Sequence, residues 1–211
     1  MTGYRAAWRS LPVAQRWMIG LLALAVLLAN VAQPFPEVAP LHHLPTVAVI
    51  AAPPLFLARW PLSTRAVAFL FAFWLLHTLG GRYTYSNVPY DAWASALFGV
   101  STGDLLGTTR NHYDRLVHLA FGVTSIPAAM ELARRQGAGP FAAACLGVGF
   151  VAAASAVYEI FEWGLTLVMA GGAADAYNGQ QGDIWDAQKD MAMAMLGALA
   201  MAAVELRRRA A

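Results

Sequence analysis

Charge is what this sequence has least of. Only 12% of its 211 residues are Asp, Glu, Lys or Arg, while 59% are hydrophobic and the mean hydropathy is +0.51. A soluble domain ordinarily carries about 25% charge and about 45–50% apolar residues, so a water-soluble globule is excluded. There is a single cysteine, Cys145, inside an apolar run. A disulfide framework within the chain is therefore impossible, and Cys145 is expected as a small buried helix residue. A basic stripe is missing too: the net charge is +2 and the arginines are dispersed, which excludes the usual footprint of a nucleic-acid partner. No internal repeat is detectable.

What the chain has instead is long apolar runs, each near the ~20 residues (about 17 at the short end) needed to cross a bilayer. Six spans are expected, making residues 1–211 one all-α, polytopic membrane helix bundle. The first covers roughly Trp17–Ala32 and is expected as an uncleaved helix, because Ala29–Ala32 lacks a clean small-x-small cleavage pattern. The second, about Leu44–Trp60, contains Pro53-Pro54 and should be kinked or half-crossing. The third covers about Arg65–Gly80, the fourth Tyr113–Leu132, the fifth Pro140–Ala170 and the sixth Asp183–Leu206. Residues 81–112 form a long polar extracytoplasmic loop, and Gly171–Gly182 a glycine-rich one.

Orientation follows from the basic residues, since cytoplasmic loops retain Lys and Arg. Ten of the fourteen (Arg5, Arg9, Arg16, Arg59, Arg65, Arg134, Arg135, Arg207, Arg208, Arg209) fall on alternate connections, all on one side. Both termini are thereby placed in the cytoplasm. Only Arg82, Arg110, Arg115 and Lys189 lie on the other side, together with ten of the twelve acids. The positive-inside rule does not require that acidic bias. Something at the outer face calls for carboxylates.

Three helices carry them. In the fifth span Ser155, Glu159, Glu162 and Thr166 are spaced four, three and four, one narrow helical stripe. A carboxylate near mid-bilayer costs about 2.5–3.5 kcal/mol on insertion scales, so such groups face the bundle interior with partners. In the fourth span Asp114, His118 and Ser125 share a face, and Asp with neutral His at i, i+4 can ligate one metal. The sixth opens with Asp183, Asp186 and Asp190 on one stripe. Each also has a plainer reading. Asp183 and Asp186 suit an N-cap and a first turn, and His118 or His77 can be a hydrogen-bonded interior histidine. Adjacent embedded carboxylates repel unless protonated, paired with a base or bridged by a cation. A divalent metal would neutralise them most economically. The aromatics at the outer ends, Tyr83 to Trp185, read as an interfacial belt.

The stretches Tyr113-Asp114-Arg115-Leu116-Val117-His118, Tyr158-Glu159-Ile160-Phe161-Glu162-Trp163 and Gly179-Gln180-Gln181-Gly182-Asp183-Ile184-Trp185-Asp186-Ala187-Gln188-Lys189-Asp190-Met191 resemble the YjdF-like family of bacterial inner-membrane proteins. That resemblance implies a multi-pass protein of the bacterial cytoplasmic membrane. More distantly, the order of Asp-basic-x-x-His, helix glutamates and Asp-x-x-x-Asp resembles the VanZ-like family, associated with glycopeptide-antibiotic resistance. The chain differs from it at Glu162, where that family more often shows Gln.

The functional expectation is a divalent-metal site at the outer bilayer face, formed among Asp114, His118, Glu159, Glu162, Asp183, Asp186 and Asp190. Glu159, Glu162 and His118 are the candidates for catalytic roles. Carboxylate and histidine donors suit Mg, Mn, Zn or iron, and the chemistry would be hydrolysis or phosphoryl transfer on a lipid-linked or envelope molecule. The second Glu-x-x-His of a helical di-iron site is missing. Two further readings stand beside this one: a small ion-coupled transporter relaying protons or cations through Glu159 and Glu162, and a non-catalytic membrane partner protein.

Overall fold

The structure, a computed structural model, describes residues 3–169 and 177–210, and the elements they form are helices. Part of the expected glycine-rich loop, residues 171–176, lies outside the described residues, as does the expected end of the fifth span at Ala170. In chain order the helices are α1 (Tyr4–Ser10), α2 (Val13–Ala29), α3 (Ala39–Ala51), α4 (Pro53–Arg59), α5 (Thr64–Tyr83), α6 (Tyr90–Phe98), α7 (Thr102–Leu106), α8 (Tyr113–Arg135), α9 (Pro140–Val168) and α10 (Asp186–Ala210).

Local chemistry sets most of the breaks. Pro12 separates α1 from α2, which meet at 118°. Pro53 cannot donate to the preceding turn, so the expected second span is a bent pair, α3 and α4, meeting at 45°. Ser63 caps α5, its Oγ accepting from the Ala66 amide at 3.2 Å. α5 ends in two left-handed residues, Thr84 and Tyr85, which turn the chain sharply back over the bundle. Segment 81–112 is more ordered than a loop, since it holds α6 and α7. The expected sixth span starts three residues late, at Asp186, because Asp183 closes a turn ahead of the helix instead of lying on it.

By length and composition α5, α8 and α9 can each cross a membrane, and among the described residues up to five spans result if each bent pair counts as one. α2 has 17 residues, at the short end of the range. In α10 the run free of charge is only Met191–Val204, because Lys189 and Asp190 precede it and Glu205 follows. α10 is nevertheless central: it packs on both α8 and α9 and buries Ala194 and Ala198 completely. Cys145, expected inside, lies on the exposed face of α9, where Ala143, Ala144 and Gly147 occupy the inward positions.

Three of the arginines assigned to the cytoplasm meet acids at one end of the bundle. Arg65 pairs with the buried Glu205 at 2.5 Å, Arg208 joins the same carboxylate at 3.5 Å, and Arg135 meets Glu131 at 3.0 Å. Glu131 also accepts from the Ser63 amide and hydroxyl. At the opposite end Arg82 closes the last turn of α2, donating to the carbonyls of Ala29 and Val31 at 2.8 and 2.9 Å.

α8 and α10 cross at backbone contact. A Cβ on Gly122 would strike the Ala194 carbonyl, and one on Gly197 would strike the Leu119 carbonyl. Small residues allow this approach, which gains dispersion where lipid offers no hydrophobic drive. Overpacking usually costs about 1–3 kcal/mol, and here the obstacle is backbone, which yields least. Gly122→Val and Gly197→Val should therefore lower the Tm in detergent and raise the aggregated fraction in size-exclusion chromatography. Gly149→Ala, whose Cβ would meet nothing, should melt like the parent or slightly higher. A Gly122→Val variant with parental Tm would refute the close crossing.

Candidate functional site

The first two turns of α8 present Asp114 and His118 to the bundle interior. His118 Nε2 lies 3.6 Å from Asp114 Oδ1 on its own helix and 3.7 Å from Glu159 Oε1 on α9. Asp190, one turn into α10, completes a group of three: ligand atoms of Asp114, His118 and Asp190 lie within 4.8 Å of one another. All four side chains are buried, Asp190 to 2% exposure and the others to 8–9%. Glu159 Oε1, Asp190 Oδ1 and the neighbouring Ser155 Oγ are buried without a hydrogen-bond partner. Orphaned buried oxygens of this kind are rare and expensive, and each asks for an explanation.

The other acids of the expected set have different company. Asp186 pairs with Arg110 and, at 3.4 Å, with Arg115. Asp183 takes Arg115 and Lys189, both at 2.6 Å. This layer lies over the buried group and touches it once, where Arg115 Nε stands 4.0 Å from Asp190. The loop ahead of α10 closes the layer. Arg110 donates to the Gln180 carbonyl at 2.5 Å, and Asn111 and Gln181 exchange two bonds of 2.9 Å each. Gly179 has φ +68°, and a Cβ there would stand 2.6 Å from Ser86 Oγ. Both features favour glycine there.

Glu162 is separate again, half-buried a turn beyond Glu159. Its backbone carbonyl accepts from Asn178 at 3.3 Å. Burial pushes the phenol of nearby Tyr177 up to about 12; a hydrogen bond with Tyr158 opposes that rise, while the carboxylates of Glu162 and Asp114 add to it. Tyr85 rises well above its ordinary value, mainly through burial and then through Asp114.

Sequence reasoning missed a second polar group beside the first. His42 and His43 of α3 are buried with all four ring nitrogens unpartnered. His42 stacks on Tyr177, with centroids 4.2 Å apart and planes 5° from parallel. His77 bonds the His42 carbonyl through Nε2 at 2.8 Å and the Tyr85 hydroxyl through Nδ1. Two adjacent histidines at the edge of an apolar run are the signal that was available. A cavity of about 260 Å³ lies between the groups, with His77, Tyr85, Asp114, His118, Ser155 and Tyr158 at its polar end and Phe73, Trp74 and Phe121 along its apolar wall. A cavity of similar size between α2 and α5 is lined by apolar residues such as Met18, Leu22 and Phe71, with no ionisable group. It offers no chemistry.

Comparison with known proteins returns a family and a curated relative. The family model described as "Predicted membrane protein (DUF2238)" matches residues 14–211. Inner membrane protein YjdF of Escherichia coli (strain K12) is 35% identical over 147 residues, which is 67% of this chain and 64% of that protein. The chain thus aligns with just under two thirds of its relative's length. No solved structure matches.

The outer ion layer makes a pH prediction. Lys189 chiefly, with the Trp185 amide and Arg115, holds the Asp183 carboxyl well below its usual range against the opposing effect of burial. A depressed pKa contributes stability that is complete above the unfolded value, ~4 for Asp, and lost as pH falls through the folded one. The Tm in detergent should therefore fall from about pH 5 towards pH 3, and the fall should be shallower in Asp183→Asn. Arg115→Gln should also lower the Tm at neutral pH, because Asp183 loses a close partner and Asp186 and Asp190 lose a shared cation. Parental melting of Arg115→Gln would show that the layer carries no stability.

Proposed function

This chain belongs to the DUF2238 family of predicted membrane proteins, and we propose that it holds a divalent cation between Asp114, His118 and Asp190 near the outer leaflet of the inner membrane. One observation carries the reading: three donor groups from two helices converge within 4.8 Å while carboxylate oxygens of Asp190 and of the adjacent Glu159 have no partner. A cation supplies what the orphaned oxygens lack. Of the arginines only Arg115 approaches them, its Nε 4.0 Å from Asp190, while Arg110 and Arg115 make their short contacts with Asp183 and Asp186. Asp183 and Asp186 thereby leave the ligand set expected from the sequence, and Glu162 stands outside it as well.

Two carboxylates and an imidazole suit Mg, Mn, Zn or iron. Such a centre polarises an oxygen or lowers the pKa of bound water, the requirements of hydrolysis and phosphoryl transfer. Glu159, 3.7 Å from His118, would act as a fourth ligand or as general base towards a lipid-linked or envelope substrate. Ser155, one turn away on α9, lines the cavity. The competing reading, an ion-coupled transporter, draws on the His77–Tyr85 pair, which extends the polar path from the cavity to α3. It requires ion flux in liposomes without any bound metal.

Metal content of the purified protein and titration calorimetry with Mn and Zn distinguish them. The parent should take up a cation, and chelation should lower its Tm. His118→Ala and Asp190→Asn should weaken binding by about 100-fold or more, equivalent to ~2.7 kcal/mol. Glu159→Gln should retain the cation if it serves as base. A parent protein that neither holds a metal nor responds to chelation would end the metal reading.

A further inference from the structure

The cavity between the two polar groups has walls of one electrical character. Five of its lining residues are aromatic: Phe73, Trp74, Tyr85, Phe121 and Tyr158. The ring of Phe73 lies 5.2 Å from that of Trp74 and 5.4 Å from that of Phe121, with planes inclined at 72° and 55°. Rings so inclined wall a space instead of stacking into a slab. Asp114 stands at the polar end, and among the described residues no Arg or Lys lines the cavity. Tyr85 adds a lone pair. The His42 carbonyl can only accept, so His77 Nε2 carries the proton of their 2.8 Å bond. In the neutral ring Nδ1 then holds a lone pair, and the Tyr85 hydroxyl that meets it must donate. With its proton committed to His77, Tyr85 has only an acceptor oxygen to offer a ligand. Ser155 lines the same cavity, 3% exposed, and its Oγ has no partner.

We propose that this cavity binds a small organic monocation, a primary ammonium group on an apolar body, with the ammonium at Asp114 and Tyr85. The inference goes beyond the metal reading and stands without it. An ammonium has three donors and no acceptor, the complement of a carboxylate and of a phenol oxygen whose proton is already used. Aromatic faces attract a cation within about 6 Å of their centroids, and more strongly where water is excluded. An anion would meet Asp114 with no Arg or Lys on the wall to oppose it, and a neutral alcohol would gain nothing from the ring quadrupoles. Charge leaves room for both ligands. Six acids gather at this end, Asp114, Glu159, Glu162, Asp183, Asp186 and Asp190, against three bases, Arg110, Arg115 and Lys189. A divalent ion would make good two of the three missing positive charges and leave one for a monocation. The cavity, about 260 Å³, is just below the ~300 Å³ at the lower end of ligand pockets, so the apolar body is small.

The test is titration calorimetry on the full-length protein in detergent with EDTA present, corrected for partitioning of each probe into empty micelles. Three probes share one ring and differ in charge: benzylammonium, benzyl alcohol and benzoate. Benzylammonium should bind about 10-fold or more tightly than benzyl alcohol, and benzoate should give no saturable heat. Asp114→Asn should bring benzylammonium close to benzyl alcohol. Trp74→Leu, at a half-buried position, should weaken benzylammonium severalfold, whereas Trp74→Phe, which keeps a ring face, should retain most of the affinity. Equal binding of benzylammonium and benzyl alcohol by the parent overturns the proposal, and so does saturable binding of benzoate; both comparisons need only the parent protein, so a variant that fails to fold does not decide the matter. Metal uptake measured without the amine separates the two readings. Ammonium selectivity in a protein that takes up no metal sinks only the metal centre, and metal uptake by a protein without that selectivity sinks only the ammonium site.

Discussion

Arg110 and Arg115 hold the beginning of α10 against the beginning of α8, and the positions of the buried acids follow from that clamp. Asp186 sits on both guanidiniums, so the next inward residue on its face, Asp190, is carried one turn deeper, opposite Asp114 and His118. Without paired cations at the mouth, burying Asp186 to 4% exposure would be prohibitively expensive. The crossing of Gly122 and Gly197 fixes the same two helices further down. With two points of attachment, α8 and α10 cannot rotate relative to each other, and the site inherits that rigidity.

This arrangement sorts the acids by depth. The outer layer is neutralised by protein cations and tied to the loop by Gln180 and Gln181. The inner layer meets a protein cation only at arm's length, Arg115 Nε standing 4.0 Å from Asp190, and retains orphaned oxygens. A purely structural network would be expected to satisfy its members, because an unmet buried carboxylate costs more than an apolar replacement. The inner layer is thus the part of the molecule on which the proposed cation site rests. The histidine and tyrosine group on α3 and α5 borders the same cavity and shares its economy: His42 and His43 are buried polar side chains whose ring nitrogens have no hydrogen-bond partner.

Depth also separates two kinds of cavity wall on the same helices. α8 lines the polar cavity with Asp114 and His118 near its outer end and a second, apolar one with Ala128 and Ala129 near its inner end. α9 contributes Ser155 and Tyr158 to the first and Phe150 and Leu146 to the second. Both cavities meet Phe73, Trp74 and Phe121, so the polar end and the apolar end of the bundle share one aromatic border.

Much of this was legible from residue order. Hydropathy gave a membrane helix bundle because lipid leaves the backbone no alternative to internal hydrogen bonding, and the arginine distribution predicted which connections would meet at each end. Helical periodicity put Asp114 with His118 and Ser155 with Glu159, since neighbours on one helix are separated by geometry alone. Two things periodicity could not supply. It assigned Asp183 to the stripe of Asp186 and Asp190, although a turn precedes the helix, and it gave no sign that Arg110, outside any helix, would claim Asp186. Which acids are paired and which stay open depends on how α8, α9 and α10 are rotated about their axes. That rotation is set by close contacts between residues some seventy positions apart, such as Gly122 against Ala194, and no local pattern in a sequence encodes them.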